Sequence, residues 1–333
     1  MVMVSHVPSS QREAVADHGP PGRQAWVFPG QGSQQVGMGR DLYETYPAVR
    51  RLLDEADTIL GYPLTRLCFE GPEESLRQTM HAQPAIMAVS LACLAAARAE
   101  GALTEAPAFL AGHSLGEYTA LVAAEALFFA DGLRLVHERG RLMQEAGERV
   151  PGAMAAVIGL PEEKVTALCE ESGAEICNLN SPGQAVIGGP LAAVERAIEL
   201  ARARGARHLA RLNVSGAFHT SLMGPAAAGM AEAVARVPLA DAQVPIVANS
   251  NAEPITTVAA IRRELPRQLC RPVLWQRSVE YMVAQGVTAF VEIGPGRVLT
   301  SLIRRIDGSA SVRNIADVPS IRREVESHAG LVG

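Results

Sequence analysis

At 333 residues, 48% of them hydrophobic and 20% charged, the chain is long enough for one large domain or two of ordinary size and apolar enough for a substantial core. A formal net charge of −5 offers no general attraction for nucleic acid or an anionic membrane, which sets both aside as main partners. The five cysteines are odd in number and form no C-x-x-C pair, the usage of reduced thiols in the cytoplasm, and neither an unbroken apolar run of about 18 residues nor a basic-then-apolar N-terminus argues for a membrane span or secretion.

Residues 1–23 mix Ser, Gln, Pro, His and Gly without periodicity and close on Pro20-Pro21-Gly22, the pattern of a poorly ordered tail. Ala25-Trp26-Val27-Phe28 then reads as a short strand running into Pro29-Gly30-Gln31-Gly32-Ser33-Gln34. That glycine-rich loop lacks the lysine of a P-loop and the spacing of a dinucleotide fingerprint, so a nucleotide role is not expected. Two readings remain: close main-chain approach to a reacting group, or an ordinary tight turn. Tyr46–Leu60 and Pro72–Met80 read as surface helices, and Gln83-Pro84-Ala85 opens a long apolar helix through Ala99.

Ala106–Ala111 is strand-like and leads into Gly112-His113-Ser114-Leu115-Gly116, after which Glu117–Ala124 is helical. A serine between two glycines at a strand-to-helix turn has the pattern of a nucleophile elbow, where bulk on either side would clash. The free N–H groups of the following helix would favour an oxyanion there. A chain with 30 glycines can also produce the same five residues in a loop, so the pattern alone leaves both readings open.

A helical wheel at ~100° per residue over 131–147 gathers Leu133, Leu135, Val136, Gly140, Leu142, Met143 and Ala146 on one half, and Arg134, His137, Glu138, Arg141 and Glu145 on the other. Arg139 falls inside the apolar half, where an unpaired guanidinium is costly. It predicts either a buried ion pair or a grip on a substrate carboxylate.

From 148 to 214 the predicted order is βαββαβ: Gly152–Ile158, a helix Pro161–Ser172, Glu175–Asn180, Gln184–Gly188, a helix Leu191–Arg204, and Arg207–Val214. That is the order of a ferredoxin-like unit, inserted into the larger domain. Beyond it, Val244–Ser250 and Val287–Ile293 read as strands, and their alternation with helices indicates a mainly parallel sheet. His219 stands where the chain re-enters the large domain. It could cap a helix, or serve as the base for Ser114.

Phe28-Pro29-Gly30-Gln31-Gly32-Ser33-Gln34, Gln83-Pro84-Ala85, Gly112-His113-Ser114-Leu115-Gly116-Glu117, Arg139-Gly140, Asn180-Ser181-Pro182-Gly183-Gln184, Gly216-Ala217-Phe218-His219, Arg267-Gln268-Leu269, Trp275–Glu280 and Glu292-Ile293-Gly294-Pro295-Gly296 occur in this order. Together they resemble the malonyl-CoA:acyl-carrier-protein transacylases, including free-standing acyltransferases of polyketide synthesis, from about Ala25 to Ile306. The resemblance implies an α/β-hydrolase-like large subdomain over 24–147 and 215–306, a ferredoxin-like insert over 148–214 and a C-terminal segment over 307–333.

It further implies a ping-pong transfer through a seryl acyl-enzyme, for fatty-acid or polyketide synthesis. Ser114 is then the nucleophile and His219 the base, oriented by the main-chain carbonyl of Gln268. The N–H groups of Gln31 and Leu115 form the oxyanion hole, and Arg139 binds the malonyl carboxylate. Leu115 and Phe218 are of the type that selects malonyl over methylmalonyl, while Gln83 and Asn180 match pocket signatures without an assigned role. The implied partners are malonyl-CoA, coenzyme A and an acyl carrier protein, with Arg262, Arg263, Arg271, Arg297, Arg304 and Arg305 as candidate docking contacts. A cytoplasmic monomer without metal or redox cofactor is expected. The rivals are an acyl hydrolase of the same fold and a non-catalytic carrier-docking protein.

Overall fold

The computed structural model describes residues 23–330. The expected tail over 1–23 lies outside the described residues except for Arg23, which opens the first strand. Among the described residues ten strands form: β1 (Arg23–Phe28), β2 (Phe109–Gly112), β3 (Gly152–Ile158), β4 (Glu175–Ser181), β5 (Gln184–Pro190), β6 (His208–Arg211), β7 (Ile246–Val247), β8 (Pro254–Ile255), β9 (Val287–Ile293) and β10 (Ser311–Ile315). They make two sheets, in the orders β10-β9-β1-β2-β7-β8 and β4-β5-β3-β6.

In the larger sheet every pairing is parallel except that of β8 with β7. All of β2 and all of β1 after Arg23 are buried, as required of strands covered on both faces. The helix Thr79–Ala99 packs against the same sheet at β9 and β10. It is long and apolar enough to cross a membrane, yet most of it is buried inside the molecule, which makes it a core helix. It begins four residues before the expected Gln83, so Pro84 sits in its second turn rather than at its start. The expected helix over Pro72–Met80 is correspondingly reduced to Glu73–Arg77.

The smaller sheet is antiparallel throughout, and its order, with one helix between β3 and β4 and another between β5 and β6, is the ferredoxin-like arrangement. The helices Glu162–Ser172 and Leu191–Ala203 close a separate core around Val157, Val165, Leu168, Ile187 and Val194. Main-chain bonds stitch the two subdomains together: Leu179 N to Val273 O and Val273 N to Cys177 O, both 2.9 Å.

Two local expectations change. The strand expected over Val244–Ser250 pairs only at Ile246–Val247, because the N–H groups of Asn249 and Ser250 go to the carboxylates of Glu117 and Glu264 instead of a neighbouring strand. The large subdomain also continues past residue 306, since β10 adds to its sheet beside β9.

The turn from β2 into the helix Gly116–Ala123 depends on its glycines. A Cβ on Gly112 would lie 1.9 Å from the Gly116 carbonyl carbon, and one on Gly116 would lie 2.1 Å from the Phe28 carbonyl oxygen. Both obstacles are backbone and cannot rotate away. Gly112→Ala and Gly116→Ala are therefore expected to lower unfolding stability in urea by about 1–3 kcal/mol or more. Gly224→Ala, at an open helix start with no heavy atom within 4 Å, is expected to be neutral or to stabilise by up to about 1 kcal/mol.

Candidate active site

Adjacent parallel strands carry the two loops of the site side by side. Gly112 stands opposite Phe28 in the register, so the serine turn after β2 lies against the glycine loop after β1, with His113 N donating to Phe28 O at 3.1 Å. Ser114 has φ +54°, in the left-handed region that a non-glycine residue occupies at a cost of about 1–3 kcal/mol. Asn249 holds both sides of this turn. Its Oδ1 accepts from Ser114 N and its Nδ2 donates to Gly112 O, both at 2.7 Å. Asn249 is itself held by Glu117, whose Oε2 accepts from Asn249 N at 3.0 Å.

His219 is strained in the same way, with φ +61°, and faces the serine. Its Nε2 lies 2.8 Å from Ser114 Oγ, and its Nδ1 lies 2.9 Å from the main-chain oxygen of Gln268. A carbonyl only accepts, so the network assigns the ring proton to Nδ1 and leaves Nε2 to accept from the serine hydroxyl. Burial pushes the His219 pKa down to about 3, the positive charge of Arg139 adds to the effect, and the Gln268 carbonyl opposes it. The imidazole is therefore neutral at physiological pH and able to take a proton.

Arg139 is 1% exposed. Its Nη1 donates to Gln83 Oε1 at 2.7 Å, and its Nη2 donates to Gln268 Oε1 at 2.8 Å and to Ser114 Oγ at 3.0 Å. The guanidinium carbon stands 5.3 Å from the centre of the Tyr118 ring, and Nε has no acceptor among the described residues. The ion pair left open by the helical wheel does not form: among the described residues no carboxylate lies within salt-bridge distance of Arg139. Burial lowers its pKa, with Tyr118 and Glu117 acting in the opposite direction. Glu117, fully buried beyond Gln268, is driven well above the usual carboxylate range, first by burial and then by Glu264.

A cavity of about 480 Å³ opens above this cluster at the junction of the subdomains. Gln31, Ser114, Met143, Phe218 and His219 line it from the large subdomain, and Met154 and Asn178 from the small one. Among the described residues, neither the Gln31 N–H nor the Leu115 N–H is used in a main-chain hydrogen bond.

Three expected pocket residues lie elsewhere. The Leu115 side chain is fully buried in the main core and does not reach the cavity wall, because the strained turn points Ser114 outward and its successor inward. Gln83 stands behind the wall holding Arg139, and Asn180 bonds His113 Nε2 at 2.9 Å instead of facing the cavity. The candidate docking arginines divide. Arg263, Arg271, Arg297, Arg304 and Arg305 are exposed, whereas Arg262 is half-buried and tied to the carbonyls of Val234 and Val237.

Glu117, Asn249 and Glu264 were not singled out from sequence. Glu117 carries the signal that exposed Arg139, a charge within a largely apolar helical stretch. Asn249 has no local signal, because the partners of its side chain lie more than 130 positions away.

Residues 25–331 match a family model described as an acyl transferase domain. The malonyl CoA-acyl carrier protein transacylase of Bacillus subtilis (strain 168) is 44% identical over 308 residues, covering 91% of this chain and 96% of its own length. The protein of the same name from Escherichia coli (strain K12) is 47% identical over 286 residues, covering 85% and 92%. Among solved structures, a malonyl-transacylase in complex with its type II PKS acyl-carrier protein is similar with a TM-score of 0.88 at 43% identity, covering 92% of this chain and 99% of that one. An acyl carrier protein S-malonyltransferase from Vibrio cholerae O1 follows at 0.86 and 43%, covering 90% and 99%. Likeness of this extent, in sequence and in fold alike, means that the chain belongs to the acyl transferase domain family, among the malonyl-CoA:acyl-carrier-protein transacylases.

Proposed function

We propose that the protein transfers a malonyl group from malonyl-CoA to the phosphopantetheine thiol of an acyl carrier protein, for fatty-acid or polyketide synthesis, by way of an ester on Ser114. The observation that carries this reading is Arg139: a guanidinium buried without a carboxylate and hydrogen-bonded to the nucleophile itself.

In the first half-reaction Ser114 Oγ attacks the thioester carbonyl carbon while His219 Nε2 takes the hydroxyl proton. The charge that develops on the carbonyl oxygen is met by the N–H groups of Gln31 and Leu115. As the C–S bond breaks, the imidazolium returns its proton to the sulfur and coenzyme A leaves. In the second, His219 takes the proton of the carrier thiol, the sulfur attacks the ester, and Ser114 regains its hydrogen. An ester oxygen is a poorer acceptor than a hydroxyl, so acylation loosens the contact from Arg139 Nη2 and frees it for the malonyl carboxylate, which can then be held bidentately.

The cavity between the subdomains serves coenzyme A and the carrier arm in turn. The exposed arginines Arg263, Arg271, Arg297, Arg304 and Arg305 are candidates for meeting an acidic carrier, and Arg262 is assigned to holding the end of a helix. Five free cysteines, four of them buried, suit the reducing cytosol, and the protein is read as a monomer needing no metal or redox cofactor. An acyl hydrolase of neutral chains would gain nothing from a buried guanidinium, and a scaffold without chemistry would have no use for two strained residues aimed at each other.

Intact-protein mass after brief exposure to malonyl-CoA is expected to show a malonyl adduct that needs Ser114 and moves to a carrier bearing its phosphopantetheine arm. Loss of the adduct to water regardless of carrier would instead establish the hydrolase. Arg139→Ala is expected to lower kcat/KM for malonyl-CoA by about 100-fold or more, the ~3 kcal/mol of a lost buried charge contact, and to spare acetyl transfer. Equal loss for both acyl groups would make Arg139 structural.

Because His219 is already neutral above about pH 3, log kcat/KM for acylation should run flat from pH 8 to about 5, with no inflection at the ordinary histidine value near 6.5. Phe218→Ala is expected to raise methylmalonyl transfer relative to malonyl by roughly 10-fold, read by competition between the two thioesters at equal concentration.

A further inference from the structure

The side-chain amide of Gln268 has two ends that differ chemically, and the site uses both. Its Oε1 accepts from Arg139 Nη2 at 2.8 Å, while its Nε2 donates to the Ser114 main-chain oxygen at 3.0 Å and to Glu117 Oε2 at 2.8 Å. Turned through half a rotation, the amide would set its NH₂ against a guanidinium, donor facing donor. Its oxygen would then face a carbonyl and a carboxylate, acceptor facing acceptor. One orientation is therefore strongly preferred, and at the far end it is set by the Ser114 carbonyl together with Glu117, which makes the shorter of the two contacts.

Glu117 lies three positions after the nucleophile, is wholly buried, and touches neither the cavity nor Arg139 by a salt bridge. Its Oε2 accepts from Gln268 Nε2 and from Asn249 N, and its Oε1 has no partner among the described residues. A carboxyl group buried with one oxygen unsatisfied is an expensive way to fill space, and nothing in the packing of an apolar helix requires it. The carboxyl does two things that an apolar side chain would not: it accepts from Asn249 N, which supports the serine turn common to every acyl group, and it reads the nitrogen end of the Gln268 amide, which leads to Arg139. Because Oε2 is the accepting oxygen, this holds whether a proton is absent or sits on Oε1.

We propose that Glu117 is a positioning residue for recognition of the substrate carboxylate: by holding the amide of Gln268 in one orientation, it fixes the guanidinium of Arg139 beside Ser114. The separation matters. A carboxylate in direct contact with Arg139 would occupy the donors that the substrate needs, whereas an amide between them orients the guanidinium through one neutral bond and leaves its remaining N–H groups available.

The inference rests on the reading of Arg139 as the anchor for malonyl, and it is tested by the ratio of malonyl to acetyl transfer, each taken as kcat/KM, so that any loss common to both acyl groups cancels. Glu117→Gln keeps an accepting oxygen and is expected to stay within about 3-fold of the wild-type ratio. Glu117→Met and Gln268→Met, which each remove one end of the contact, are expected to lower the ratio at least 10-fold. The double variant should fall no further than the lower of the two, because Glu117 acts through Gln268.

If Glu117→Met loses malonyl and acetyl transfer equally, or if the two single effects multiply in the double variant, the proposal is overturned. Should Glu117→Met fail to fold, as judged by circular dichroism and thermal melting, Glu117→Asp takes its place. Its shortened side chain cannot reach Nε2, and the same 10-fold drop is required of it. A wild-type protein that shows no preference for malonyl would overturn the functional reading instead. A wild-type malonyl preference that is unchanged in the Glu117 and Gln268 variants would overturn this inference alone.

Discussion

A guanidinium withdrawn from water without a carboxylate beside it is the constraint to which much of this molecule answers. Arg139 is held by two glutamine oxygens and a serine hydroxyl, all neutral, and its charge is compensated only at a distance. Such an arrangement costs stability relative to an apolar core, and a direct ion pair would relieve the cost while consuming the donors. Keeping the charge poorly compensated keeps it available. The other buried residues of the helix that carries Arg139 are glycine, alanine, leucine, valine and methionine, so the guanidinium is the one charged group on that face, and its polar partners come from other elements.

The same requirement accounts for how the proposed base, His219, is held. Many serine sites orient their histidine with a carboxylate. Here a carboxylate at Nδ1 would stand close to Arg139 through Gln268 and compete with the acyl group's own negative charge. A main-chain carbonyl fixes the tautomer of His219 without adding charge. Burial and the nearby guanidinium then keep the ring neutral and ready to accept a proton, at the cost of disfavouring the imidazolium that must form transiently.

Strain and support are spread over long chain separations. Ser114 and His219 both sit in left-handed backbone and face each other, and the elements that hold them come from four places: the glycine loop after β1, the elbow helix, Asn249 after β7, and the turn at Gln268. A serine and a histidine fixed in this way would need little rearrangement to act as the proposed nucleophile and base, which is the physical content of preorganisation. The small subdomain, fastened through β4 to the segment at Val273, supplies the opposite wall of the cavity.

Local pattern was sufficient for a good part of this. Alternating apolar strands and helices, the βαββαβ order and the glycine-flanked serine are short-range signals, because sterics and hydrophobic periodicity act over a few residues. The wheel found Arg139 by the same logic, since a charge on an apolar face is anomalous wherever it lands. What the pattern could not supply was partnership: it left open whether Arg139 meets a carboxylate, it placed Leu115 beside Phe218 as a specificity residue although only Phe218 lines the cavity, and it ran a strand through all of Val244–Ser250. The answers depend on Gln83, Asn249, Glu264 and Gln268, brought together across separations from 14 to 154 residues by the closing of the parallel sheet. Hydrogen-bond partners at that range carry no local signature, and only the folded chain selects among them.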